Sequence, residues 1–198
     1  MNKSDFKKPD GRAGKLCGRA MAVLGLMALL PTSNCAFGGE PPPTKYQVEA
    51  VCLFNFAKYV EWPAAAFPNA AAPVTIGVLG TDFFGDNLQR AVAGKTVNGR
   101  SFVIKYVASG SELSGCQILF ISDSEASRMG EILDKAGALP ILTVGEDEAF
   151  AQKNGIINFV LKDGKVRLEI DLTTAGKTGL KINSRLLAVA DVVKGRAN

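Results

Sequence analysis

Four short apolar runs, set apart by helix-length segments and turn residues, constrain this chain most. They are 74–79 (VTIGVL), 102–107 (FVIKYV), 117–121 (QILFI) and 141–144 (ILTV). Each has the length of a strand, and the third is apolar at every position after Gln117, as in a strand covered on both faces. A helix is expected after the turn Gly80-Thr81-Asp82, running to about Ala93. Another is capped by Ser122 with Glu125 and ends near Gly137. Strand–helix alternation of this kind implies right-handed crossovers and a parallel core. The pattern then changes. Residues 156–161 and 165–170 flank Asp163-Gly164, a dipeptide preferred in type I′ hairpins because both central residues need positive φ. Val166, Leu168 and Ile170 alternate with Lys165, Arg167 and Glu169, which gives that strand one wet face. A final helix is expected after Ser184, with Ile182, Leu186, Val189, Ala190 and Val193 at helical spacing. The expected architecture is a three-layer α/β/α sandwich with a mixed, mostly parallel sheet and a C-terminal β-hairpin plus helix.

Ahead of the first strand, Thr44 and Gln47 make a capping box for a helix reaching Tyr59 or Val60, and Pro63 stops it. Val48, Val51, Cys52, Asn55 and Tyr59 form one stripe, while Leu53, Phe54 and Phe56 lie off it. A helix apolar over most of its girth is buried on more than one side. It is either sandwiched inside the domain or meets a partner, a second copy in a two-fold homodimer included.

Residues 1–38 read as a secretory leader. Lys3, Lys7, Lys8, Arg12, Lys15 and Arg19 precede the apolar run 21–30, then Pro31 and small residues. The run is too short to span a bilayer, which takes about 20 apolar residues. Ala36-Phe37-Gly38 places cleavage after Gly38, followed by a flexible tether over 39–44 and a single domain over 45–198. The expected location is the periplasm, with no membrane insertion of the mature chain. Removing the leader's six Lys and Arg and two Asp and Glu from totals of 23 and 19 leaves 17 of each. A formally neutral chain without a basic cluster lacks the cationic excess that nucleic-acid binding needs.

The chain has no histidine, which removes Ser-His-Asp and Cys-His catalysis and histidine-ligated zinc. Outside the leader only Cys52 and Cys116 remain, and two readings stay open: a disulfide between them, or two buried small hydrophobes. Gly77–Gly80 after a strand lacks the Gly-x-Gly-x-x-Gly fingerprint and reads as a tight turn. Helix starts at Asp82 and Ser124, with Gly80, Thr81, Ser122 and Asp123, would line the crevice beyond the strand C-termini where open α/β sheets hold ligands. Glu146, Asp147 and Glu148 suit a solvated loop better than a calcium or glycosidase site. Trp62, the mature chain's one tryptophan, sits in Glu61-Trp62-Pro63, either as an interface anchor or as a cap over the core.

The segment 50–63 reads AVCLFNFAKYVEWP, and 155–190 reads GIINFVLKDGKVRLEIDLTTAGKTGLKINSRLLAVA. Between them lie IGVLG (76–80), GKTVNG (94–99), CQILFISDSE (116–125) and ILTVG (141–145). Together they resemble the YfiR-like family of small exported bacterial proteins, over essentially the whole mature chain. The resemblance implies a periplasmic α/β domain without catalysis or cofactor. It also implies a regulator that binds the periplasmic part of an inner-membrane diguanylate cyclase, holds it inactive and so lowers cyclic di-GMP. Some relatives carry two disulfides, whereas Cys52 and Cys116 allow one at most.

The expected function is repression of an inner-membrane signalling protein, a diguanylate cyclase or sensor kinase, by direct contact. Glu61, Trp62 and Phe67 are the expected contact residues. Arg185 joins them as a cation at the start of the last helix, where the dipole disfavours it. The alternative is a small-molecule sensor module using the crevice.

Overall fold

The computed structural model describes residues 42–108 and 112–193. The expected leader, its cleavage site and the start of the tether lie outside them. The described residues belong to one compact unit.

Thr44 opens helix α1 (Lys45–Tyr59) with the expected capping box, its hydroxyl accepting from Gln47 N–H and the Gln47 side chain accepting from Thr44 N–H. Strand β1 (Val60–Glu61) follows at once. Then come β2 (Val74–Leu79), α2 (Asp86–Val92), β3 (Phe102–Val107) and β4 (Ile118–Ile121). A 3₁₀ segment, Asp123–Arg128, leads into α3 (Met129–Gly137) and β5 (Leu142–Gly145). The chain closes with β6 (Ile157–Lys162), β7 (Lys165–Asp171), α4 (Leu172–Lys177), β8 (Lys181–Ile182), α5 (Ser184–Leu187) and β9 (Asp191–Val193). Seven strands form one sheet in the order β3-β2-β4-β5-β6-β7-β9, and β1 pairs antiparallel with β8 in a separate two-stranded ribbon. Every neighbouring pair in the large sheet is parallel except the β6–β7 hairpin, whose Asp163 and Gly164 take φ of 52° and 70°.

Alternation along β4 explains the layers. Ile118 and Phe120 point into a core shared with α1, α2 and α5, while Leu119 and Ile121 point into a second core shared with α3. The α/β/α expectation holds. The stripe expected on α1 does not. Leu53, Phe54 and Phe56 are buried, and Val51 is 47% exposed. The helix is wedged between the sheet and α2, so its apolar girth is consumed inside the domain. The observation that suggested a two-fold contact therefore has an internal explanation.

Two boundaries also shift. Helix α2 begins at Asp86 rather than Asp82, because the Asp82 carboxylate accepts from Phe84 N–H and turns the chain so that Phe84 fills the core. The last helix is a single turn. Val192 and Val193 instead extend β9 along β7, giving the outer backbone groups of that strand partners. Ile182 lies in β8, not on a helix.

In the second core the Phe150 ring is clamped between two glycines. A Cβ at Gly145 would sit 2.3 Å from the ring, and one at Gly155 2.1 Å. A ring that is fully buried has nowhere to move. Gly155→Ala is therefore expected to lower unfolding free energy by about 1–3 kcal/mol or more through overpacking. Phe150→Leu should recover part of that loss in the same background, as read by urea unfolding. Equal stability of Gly155→Ala and the parent would contradict the clamp.

Candidate functional site

The expected contact residues Glu61, Trp62 and Phe67 converge. They line a surface hollow of about 310 Å³ with Ala57, Val60, Val74, Val97, Asn98 and Arg100. Helix α1 delivers one wall as it runs into β1. The opposite wall is a small hairpin in which Asn98 and Gly99 take φ of 52° and 77°, so that Val97 and Arg100 exchange two backbone hydrogen bonds of 2.9 Å. That turn presents Arg100. Its guanidinium lies 3.9 Å from the Phe67 ring centroid and donates to the carbonyls of Asn69 (3.0 Å) and Ala72 (2.6 Å). One cation thus holds the 63–73 loop in place and keeps Phe67 upright.

Gln117, buried just before β4, anchors the same loop from below. Its side chain donates to Ala66 C=O (2.7 Å) and accepts from Thr75 N–H (2.8 Å). Its own carbonyl accepts from the Trp62 indole N–H (3.1 Å). Trp62 is half-buried: its indole N–H is tied to the start of β4, and its side chain helps line the hollow. Arg100 and Gln117 escaped the sequence reading. The signals were the Asn-Gly turn beside Arg100 and the lone amide opening an otherwise apolar strand. Arg185 does not line the hollow. It is exposed, its backbone N–H bonds the Asn183 carboxamide, and the single-turn α5 offers little dipole for a cation to oppose.

The crevice residues also come together, between β2 and β4 where the strand order reverses. Their polar groups are engaged with one another. Thr81 N–H donates to the Ser124 hydroxyl (2.9 Å), Ser124 N–H to the Ser122 hydroxyl (3.3 Å), and that hydroxyl to Asp123 (3.3 Å). A Cβ at Gly80 would lie 2.6 Å from Ser124 Oγ, so the two loops are in close contact. Cys52 and Cys116 are both free thiols. Cys52 packs against the α1–α2 core and Cys116 belongs to the α3 core, so the sheet lies between them and the bridge is not made. Burial, with the nearby Glu49, pushes the Cys52 thiol up to about 11.

Glu146 is a correction. It is no solvated loop residue but is buried, with Lys45 as its ion-pair and hydrogen-bond partner. Lys45 Nζ also stands 3.8 Å from Glu49, whose side chain is 0% exposed. Both Glu49 oxygens and one Glu146 oxygen lack hydrogen-bond partners. Burial raises the Glu49 pKa to about 8, with Lys45 opposing and Glu146 adding to the shift. Burial also works against the charge of Lys45, but its bond to Glu146 and the two carboxylate charges outweigh that and raise its pKa.

The family model described as YfiR/HmsC-like, DUF4154, matches residues 46–191, and the chain belongs to this family. Membership implies a regulatory role connected with cyclic di-GMP. A search of curated proteins returns no match. Among solved structures, the chain is similar to a conserved domain protein from Vibrio cholerae at 14% identity and a TM-score of 0.51, covering 77% of this chain and 60% of that one. It is also similar to an ABC domain in complex with L-Trp from Streptococcus pneumoniae, at 13% identity and a TM-score of 0.49, covering 73% of this chain and 60% of that one. The chain thus spans about three fifths of each, and the first likeness speaks to the fold alone. No helix among the described residues is long and apolar enough to cross a membrane.

The buried carboxyl of Glu49 has a measurable consequence. Its pKa is raised on folding, so its contribution to stability is complete below the ordinary glutamate range and is lost as pH rises toward about 8. Glu49→Gln removes that loss. Its stability relative to the parent should climb by up to about 1.4 kcal/mol per pH unit across this window and level off above it, in urea unfolding at a series of pH values. A difference independent of pH would contradict the assignment.

Proposed function

We propose that this chain is a periplasmic regulator that docks on the periplasmic part of an inner-membrane diguanylate cyclase and represses it. The docking surface is the hollow lined by Trp62, Phe67 and Arg100. The observation that carries this reading is convergence: AVCLFNFAKYVEWP supplies one wall, GKTVNG the other, and Gln117 of CQILFISDSE the anchor, though these segments lie far apart in the chain. Family membership supports the regulatory class, and a half-exposed tryptophan in a preformed hollow has the character of an interface anchor. A regulator of this kind binds one receptor conformation better than the other. A differential affinity of a few kcal/mol, of which about 5.5 kcal/mol takes a population from 1:99 to 99:1, shifts the receptor without any chemistry.

Deleting the gene from its host should raise cellular cyclic di-GMP, and restoring the chain should lower it. Phe67→Ala should fail to restore repression at equal periplasmic abundance. Trp62→Phe, which keeps an aromatic ring but not the indole N–H, should restore it better than Trp62→Ala. Cyclic di-GMP unchanged by deletion would reject the reading.

A further inference from the structure

We infer that the docking surface takes an acidic, extended segment of its partner, with one apolar side chain seated in the hollow and carboxylates along a flanking cationic strip. This rests on the proposed docking face. The strip is formed by Arg90, Lys95, Lys58 and Arg100. Lys95, with Arg90, Val51 and Ala91, lines a second hollow of about 280 Å³ on the α1–α2 face, and it stands two residues before Val97 in the wall of the first. Lys58 and Lys95 both sit over the Phe54 ring, with Nζ 4.2 Å and 4.5 Å from its centroid. Arg100 lies over Phe67 in the same manner.

None of these four cations makes an ion pair among the described residues. Elsewhere among the described residues Lys45, Lys135, Lys153 and Lys162 pair with carboxylates, while Lys105, Lys165, Lys177 and Lys181 do not, so what sets the strip apart is that its cations lie together. In a mature chain that is formally neutral, four unpaired cations on one face are a segregated charge, and Glu61 is the one acid lining the first hollow. Ring faces orient the ammonium groups and leave their N–H donors available to a carboxylate, which would accept charge-assisted hydrogen bonds. The floor of the hollow, Ala57, Val60, Val74 and Val97, is apolar, which suits an aliphatic or aromatic anchor rather than a second charge.

The test uses the protein purified from the host periplasm and a phage library of random dodecapeptides. The recovered sequences should be rich in Asp and Glu around one apolar residue. A synthetic peptide of that kind should bind more weakly by about tenfold or more in the Lys58→Glu/Lys95→Glu variant, and should weaken steadily with added salt. Thermal unfolding checks that the variant is folded. If it is not, Lys58→Gln/Lys95→Gln and the salt titration of the unaltered protein carry the same comparison. No enrichment, enrichment without acidic excess, or acidic peptides indifferent to both lysines would overturn the inference. Neutral peptides lost on Trp62→Ala would refute the acidic occupant but leave the docking face standing, whereas peptides indifferent to Trp62→Ala would refute both. Binding to phosphatidylglycerol vesicles through Lys58 and Lys95, with no acidic peptide recovered, would assign the strip to a membrane surface and likewise overturn it.

Discussion

One buried amide holds the hollow at Trp62 and Phe67 in place. Gln117 sits where β4 begins, and nearly all of its polar groups bridge parts of the chain that are remote in sequence. Its backbone N–H donates to Thr75 C=O (3.0 Å) and its carbonyl accepts from both Leu142 N–H (2.8 Å) and the Trp62 indole. Its side chain joins Thr75 and Ala66. A polar group buried without partners costs on the order of 1–3 kcal/mol, so these contacts are mutually dependent. Losing the loop would strand the amide, and losing the amide would release the loop. The Trp62–Phe67 segment has little regular structure beyond one 3₁₀ turn, Ala64–Ala66, and is made rigid by Gln117 beneath it and Arg100 beside it.

Helix α1 connects this face to the rest of the molecule. Its C-terminal end leads directly into Val60 and Glu61, and its middle fills the core between the sheet and α2. Its N-terminal end carries Lys45 and Glu49 against Glu146, a cluster with two buried carboxylates and one ammonium. Burial, with the nearby Glu146 adding and Lys45 opposing, is why Glu49 keeps its proton well above the usual range. The helix is thus fixed at one end by packing and hydrogen bonds that do not titrate, and at the other by charges that do.

Much of the sheet was legible because its strands are short apolar runs bounded by turn residues. The hairpin at Asp163-Gly164 was explicit, since few dipeptides suit two successive positive φ values. The end of the chain was not. Ala188-Val189-Ala190 continues a helical spacing, and only the open edge of β7 makes Val192 and Val193 a strand. Helix α1 showed its cap but not its buried face, because apolar residues on nearly every side give periodicity no contrast. Trp62 stood out in the sequence as a lone tryptophan beside Pro63 at a helix end, with Glu61 and Phe67 close by. Arg100 and Gln117 did not, because what they do depends on contacts 28 to 55 residues away. The burial of Glu146 was hidden for the same reason: Lys45, its partner, is 101 positions distant.

The proposed function requires that the hollow, not the opposite side of the sheet, meets a membrane receptor. Site-specific photo-cross-linking in the living host addresses this most directly, with the reactive side chain placed at Phe67 in the hollow and, separately, at exposed Glu131 on α3 across the sheet. The account predicts that position 67 captures an inner-membrane protein carrying a diguanylate cyclase domain and that position 131 does not. Capture from position 131 and none from position 67 would contradict it.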